Sequence, residues 1–188
     1  ILLQEYGANK IIKITDTRLS SFDAKTYAEV IQQVAESLQV STIILPSTAD
    51  TRYLAPIVAV KWGGAYLSNV SSLPKEGKVQ KVIFSSKAIA WIPLAPKQII
   101  TLAGNVLEAK QAPTEASIED FSVEIPHKEK SIYSIERQKV SQKISIEEAS
   151  IVVSGGRGMQ TPESWHLVED LADALGAATA CTKPVSDM

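Results

Sequence analysis

The chain reads as an α/β protein: a mostly parallel sheet flanked by helices over residues 1–140, then the opening βαβ unit of a second domain over residues 141–188. Three observations carry this. Between residues 23 and 70, segments with apolar residues at helical spacing alternate with short β-branched runs, and that order needs crossover connections that favour parallel strands. From Ile151 to Cys181 a strand, a glycine loop, a helix and a strand follow one another. The composition, 45% apolar and 21% charged over 188 residues, is globular, and a chain of this length buries roughly 70% of its unfolded surface.

Lys10–Ile14 is a short apolar strand or strand edge. Asp23 starts a helix in which Tyr27, Val30, Ile31, Val34 and Leu38 recur at three-and-four spacing. Thr42–Pro46 is a β-branched strand ended by the polar turn Pro46-Ser47-Thr48. A second helix from Asp50 places Leu54, Ile57, Val58 and Trp62 on one face and stops at Gly63-Gly64. Ala65–Val70 is the next strand. After Lys78 the segments 79–85, 87–94 and 98–102 read as later strands of the same sheet, partly antiparallel. Residues 117–143 look like a charged, extended connection in which Phe121–Ile125 alternates as an edge strand. Ile146–Ala149 is a turn of helix, and Ile151–Val153 a buried-type strand running into Ser154-Gly155-Gly156-Arg157-Gly158. Thr161 can cap the helix that follows, with Pro162 at its first position and Glu163 in its first turn. Trp165, Val168, Leu171, Ala172 and Leu175 share a face, Gly176 closes the helix, and Ala177–Cys181 begins another strand.

Composition also excludes. With 19 basic against 21 acidic residues there is no basic excess to displace counterions from a nucleic acid. No apolar run approaches the length of a membrane span. A single cysteine, Cys181, allows neither an internal disulfide nor a multi-cysteine zinc site and suits a reducing compartment. The chain opens on Ile1-Leu2-Leu3 and stops at Asp187-Met188, inside a supersecondary unit, so it reads as a fragment of a longer chain.

Glycines after a strand let backbone N–H groups approach an anion, and the next helix adds partial positive charge. Arg157 supplies a fixed cation with a planar fork. The spacing is neither G-x-G-x-x-G nor a P-loop, so on physics alone the loop is read equally as a phosphate cradle and as a tight turn.

Resemblance adds to that reading. Val152-Val153-Ser154-Gly155-Gly156-Arg157-Gly158-Met159, followed by Leu171-Ala172-Asp173-Ala174-Leu175-Gly176-Ala177-Ala178, resembles the segment that opens the FAD-binding domain of the electron transfer flavoprotein α subunit. Ile44-Leu45-Pro46-Ser47-Thr48 and Tyr53-Leu54-Ala55-Pro56 are similar to that family's N-terminal domain. The resemblance implies a nucleotide-binding-like N-terminal domain and the first unit of a flavodoxin-like FAD-binding domain. It implies an FAD-dependent electron carrier rather than an enzyme, working as a heterodimer with a β subunit. Electrons would come from dehydrogenases of the acyl-CoA type, as in fatty-acid oxidation, and pass to a quinone oxidoreductase. The residues it points to as cofactor-binding are Gly156, Arg157, Gly158, Thr182 and Lys183. Thr182-Lys183 stands where the family usually has Ser-Arg, a cation that favours reduced, anionic flavin. Lysine keeps the sign of that charge but lacks the planar fork. Further FAD contacts of the family, including a Gly-Gln-Thr-Gly loop, would lie past Met188, so this stretch alone is expected to hold FAD poorly. The implied location is a bacterial cytoplasm, with the mitochondrial matrix as alternative.

Plainer readings stand beside these. His166 is a surface or half-buried helix residue, His127 is solvated in the connection, Glu147-Glu148 marks a helix start, and Ser47-Thr48 is a polar turn. Cys181 is read as a small strand hydrophobe, and Trp62, Trp91 and Trp165 as core or interface anchors. Two other function classes remain: a nucleotide-dependent α/β enzyme using the Gly-Gly-Arg-Gly loop for a phosphate-containing cofactor, and a docking scaffold built on residues 1–110.

Overall fold

A computed structural model describes residues 2–125, 146 and 149–187. The chain divides into two compact units, Ile1–Lys128 and Glu129–Met188. The helix turn expected at Ile146–Ala149, the position of His127 and the 140/141 boundary lie wholly or largely outside the described residues.

In the first unit a short helix α1 (Leu2–Glu5) precedes strand β1 (Lys10–Lys13) and a 3-10 turn at Thr17–Leu19. Helix α2 runs over Ala24–Ser37 because Asp23, in extended backbone, caps it, its carboxylate accepting the Thr26 N–H at 2.8 Å. Strand β2 (Thr42–Pro46) ends at a polar turn in which Thr48 caps helix α3 (Ala49–Trp62). Thr48 and Thr51 bond reciprocally, each side chain serving the other's backbone N–H, which satisfies two otherwise orphaned donors. Gly63, at φ 73°, ends α3 in the left-handed region that glycine enters without strain. Strands β3 (Ala65–Val70), β4 (Lys78–Ile83), β5 (Ala88–Pro93), β6 (Gln98–Leu102) and β7 (Ser117–Asp120) complete the unit.

The main sheet has the order β2-β6-β3-β4-β5. Strand β6 pairs in parallel with both β2 and β3, while β4 is antiparallel to β3 and to β5. The β2–α3–β3 crossover thus leaves a slot that β6 fills after the β4–β5 hairpin has turned back. Alternation along β6 builds two cores. Ile99 faces α2 and α3, in one cluster with Ala28, Ala35, Leu54, Ala55, Val58, Ala59 and Trp62. Ile100 faces the other way, with Val70 and Val79. The two buried polar side chains of β6 are satisfied: Gln98 Oε1 accepts the Ala95 N–H at 2.9 Å and Thr101 Oγ1 accepts the Asn69 N–H at 2.9 Å. The second of these fixes a bulge in β3, where Asn69 takes a φ of 54°.

Strand β1 does not join the main sheet. It pairs in parallel with β7, Lys10–Lys13 against Ser117–Asp120, and Lys10 Nζ meets Glu119 at 2.8 Å. The edge strand expected at Phe121–Ile125 is therefore displaced to Ser117–Asp120. Pairing stops once the Phe121 N–H reaches the Lys13 carbonyl. Beyond it the backbone is held by side chains instead, Glu124 by Gln33 and Ile125 by Arg18.

In the second unit β8 (Val152–Gly155) and β9 (Ala178–Cys181) are parallel and in register from Val152↔Ala178 to Gly155↔Cys181. Between them stand helix α4 (His166–Leu175) and, before it, a 3-10 turn at Pro162–Trp165; helix α5 (Lys183–Ser186) follows β9. The expected cap is altered. Pro162 opens the 3-10 turn, and the Thr161 hydroxyl lies 3.3 Å from that of Ser164 rather than on a backbone N–H. Val168 and Ala172 are buried, but Leu171 is 52% exposed, because two strands do not cover the whole apolar stripe of α4.

Candidate functional site

The carboxyl ends of β8 and β9 open onto a cavity of about 810 Å³, the position where ligands bind in open α/β sheets. Its walls come from two stretches. Gly156, Arg157, Met159, Gln160, Thr161, Pro162 and Trp165 follow β8, and Cys181, Pro184 and Val185 end and follow β9. Met159, Pro162, Trp165, Pro184 and Val185 make the lining mainly apolar, and Arg157 is its cation. Its size is in the range that holds a small-molecule ligand.

The two stretches are tied together by backbone. The Thr182 N–H donates to the Gly155 carbonyl at 3.1 Å, extending the β8–β9 ladder past its last strand residue. Met159 and Gln160 donate back to Gly156 and Arg157, which winds Arg157–Met159 into a 3-10 turn. Further on, the Glu163 carboxyl lies below the usual carboxylate range because its own backbone N–H and the Thr161 hydroxyl donate to it. His166 Nδ1 stands 2.6 Å from the Glu163 carbonyl, so these groups lock the turn that carries Trp165.

Of the residues singled out from the sequence, Gly156 and Arg157 line the cavity. A Cβ on Gly156 would come to 3.7 Å of Thr182 Cγ2, which brings Thr182 to the same end of the sheet. Gly158 is in the 3-10 turn and Lys183 is the first residue of α5; neither is a wall of the cavity. Cys181 departs from the expectation of a strand hydrophobe, being exposed at the end of β9. His166 is exposed on α4, as read. Sequence reasoning placed Trp165 among core anchors and passed over Met159, Pro162, Pro184 and Val185. Periodicity records which residues share a helix face, and these walls come from loops.

Two family profiles cover the chain. The electron transfer flavoprotein domain matches residues 2–126, and the electron transfer flavoprotein FAD-binding domain matches residues 145–188. This chain belongs to the electron transfer flavoprotein family. It is 27% identical to the electron transfer flavoprotein subunit alpha of Bacillus subtilis over 98% of this chain and 58% of that one. It is 26% identical to lactate dehydrogenase (NAD(+),ferredoxin) subunit LctC of Acetobacterium woodii over 97% of this chain and 46% of that one. It is 23% identical to a probable mitochondrial alpha subunit of Caenorhabditis elegans over 96% of this chain and 55% of that one. The resemblance to the alpha subunit thus holds along nearly the whole sequence, and the chain spans about half to three fifths of the length of these relatives.

The cavity fits part of a flavin dinucleotide on its own chemistry. Apolar walls suit a planar ring, a guanidinium suits a negatively charged neighbour, and the space beside Gly156 and over Gly158 leaves backbone open to close approach. Among the described residues no group of three or more His, Cys, Asp or Glu converges as a metal site, and no helix is long and apolar enough to cross a membrane.

Proposed function

We propose that this chain is the alpha-subunit part of an electron carrier that holds FAD at the carboxyl ends of β8 and β9. The observation that carries the reading is the cavity walled by Arg157, Trp165 and Pro184 inside the segment that matches the FAD-binding domain. FAD, when bound, supplies the redox chemistry, accepting electrons from one partner and releasing them to another. The chain's own part is binding and electrostatics. Arg157 presents a guanidinium to the cavity, and the apolar walls keep water from a ring placed against them. Gly156 and Gly158 leave the backbone approachable. Thr182 and Lys183, following β9, place a hydroxyl and a second cation at the same end of the sheet, where added negative charge is favoured.

The partner is an electron transfer flavoprotein beta subunit, the donors are dehydrogenases of the acyl-CoA type and the acceptor is a quinone oxidoreductase. A bacterial cytoplasm suits relatives such as the Bacillus subtilis subunit, and the Caenorhabditis elegans relative keeps the mitochondrial matrix as the alternative. The test is flavin content of the full-length protein co-expressed with its beta subunit, as wild type and as Arg157→Ala. The reading predicts a stoichiometric flavin spectrum for the wild type and loss of flavin on desalting for the variant. Equal retention by both would remove Arg157 from the site.

A further inference from the structure

The three loop glycines do different things. A Cβ at Gly158 would meet nothing within 4 Å, and at Gly156 it would make only an ordinary contact. At Gly155 it would lie 2.5 Å from Cζ3 of Trp165, and 3.2 Å from both Cη2 of Trp165 and Cγ2 of Val168. Real Cβ atoms do not approach that closely, so Gly155 is there for space. The six-membered edge of the indole occupies the room that a side chain on the last residue of β8 would take. Trp165 is also a wall of the cavity. It is held from two sides: the Gly155 backbone against the ring, and the Thr161–Glu163–His166 bonds around the turn that carries it.

We propose that Trp165 is a positioning residue for the cavity's ligand. Its indole forms the fixed planar wall against which a planar aromatic heterocycle rests, and Gly155 sets the depth of that wall. This inference rests on the FAD reading above. Offset stacking of flat rings is favourable beyond the area it buries. A ring pinned by its own neighbours loses little freedom when a ligand arrives. FAD carries two flat rings, the isoalloxazine and the adenine, and both present this chemistry.

The experiment uses the full-length protein with its beta subunit and measures FAD affinity and the visible circular dichroism of bound flavin. The variants are Gly155→Ala, Trp165→Phe, Trp165→Ala and the Gly155→Ala/Trp165→Ala double variant. Gly155→Ala should weaken FAD by about tenfold, equivalent to about 1.4 kcal/mol. Trp165→Phe, which keeps an aromatic plane, should retain most of the affinity and change the flavin dichroism if isoalloxazine is the resting ring. If adenine is the resting ring, the dichroism stays unchanged, and Trp165→Phe instead weakens ADP as a competitor by several-fold. The double variant should bind no more weakly than Trp165→Ala alone, because without the indole the added methyl has nothing to displace. Additive losses in the double variant would overturn the inference. So would a Trp165→Phe protein unchanged in affinity, dichroism and ADP competition, while leaving the FAD reading intact. A wild-type complex that takes up no FAD would overturn both.

Discussion

The side-chain amide of Gln33 clasps the backbone of Glu124 at two points. Its Nε2 donates to the Glu124 carbonyl at 2.7 Å, and its Oε1 accepts the Glu124 N–H at 2.9 Å. One amide thus stands in for a neighbouring strand, holding to α2 a segment 91 residues away that has already left β1. Gln33→Ala should cost about 1 kcal/mol, since a net hydrogen bond contributes on the order of 1 kcal/mol and these are exposed. A urea denaturation series checks it, and faster amide exchange at Glu124 should accompany the loss.

Asp16 and Arg18 give the first unit an acid-sensitive latch. The Asp16 carboxyl falls from 3.8 to about 2 because the Arg18 side chain, and then its backbone N–H, donate to it. A depressed carboxylate contributes stability above its ordinary value and loses it as pH falls toward the folded one. The contribution of this pair should therefore be complete at neutral pH and disappear between about pH 4 and pH 2. The same guanidinium donates to the Ile125 carbonyl at 2.5 Å, so the latch also steadies that segment. Carbon-detected NMR titration should give Asp16 a midpoint near 2, moving back toward 3.8 in Arg18→Ala.

Helices α2 and α3 meet through small residues. Ala28 and Ala55 are both fully buried in the cluster that includes Ile99. A longer side chain there has no space to enter, and overpacking costs typically 1–3 kcal/mol, so Ala55→Leu should destabilise by about 2 kcal/mol. Thermal denaturation measures this, with Lys61→Ala as a milder comparison. Lys61 Nζ bonds Glu29 at 2.5 Å across the same pair of helices, but near the surface, where a pair contributes about 0–1 kcal/mol.

The end of α3 depends on Gly63. With φ at 73° and its N–H on the Ala59 carbonyl at 2.9 Å, Gly63→Ala forces a Cβ into the left-handed region at a cost of about 1 kcal/mol. A Cβ at Gly64 would instead come to 3.0 Å of Cε3 of Trp62, a clash in space rather than in dihedral. Both variants should lower the denaturation midpoint, and only the second should change the emission of the buried Trp62.

The sequence makes the α2–β2–α3–β3 alternation legible because each element carries its own period, and caps such as Asp23 and Gly63 mark the ends. The alanines were missed. Ala28, Ala35, Ala55 and Ala59 form much of the helix–helix contact, and a reading that counts large apolar residues passes over the positions where close approach demands small ones. The alternation at Phe121–Ile125 is genuine, yet among the described residues no strand pairs with it, and that lies beyond local pattern. Likewise the five residues at 98–102 read as a strand, but their place between β2 and β3 is a tertiary fact. At the site, the glycines and Arg157 stood out by type. The role of Trp165 did not, because it depends on the missing side chain of Gly155 ten residues earlier.

The central claim is tested most directly by the visible absorption spectrum of the full-length protein purified with its beta subunit, before and after reduction by dithionite. The account predicts a two-band flavin spectrum that bleaches on reduction, with about one FAD released per heterodimer on denaturation. A colourless, folded heterodimer that takes up no added FAD would contradict it.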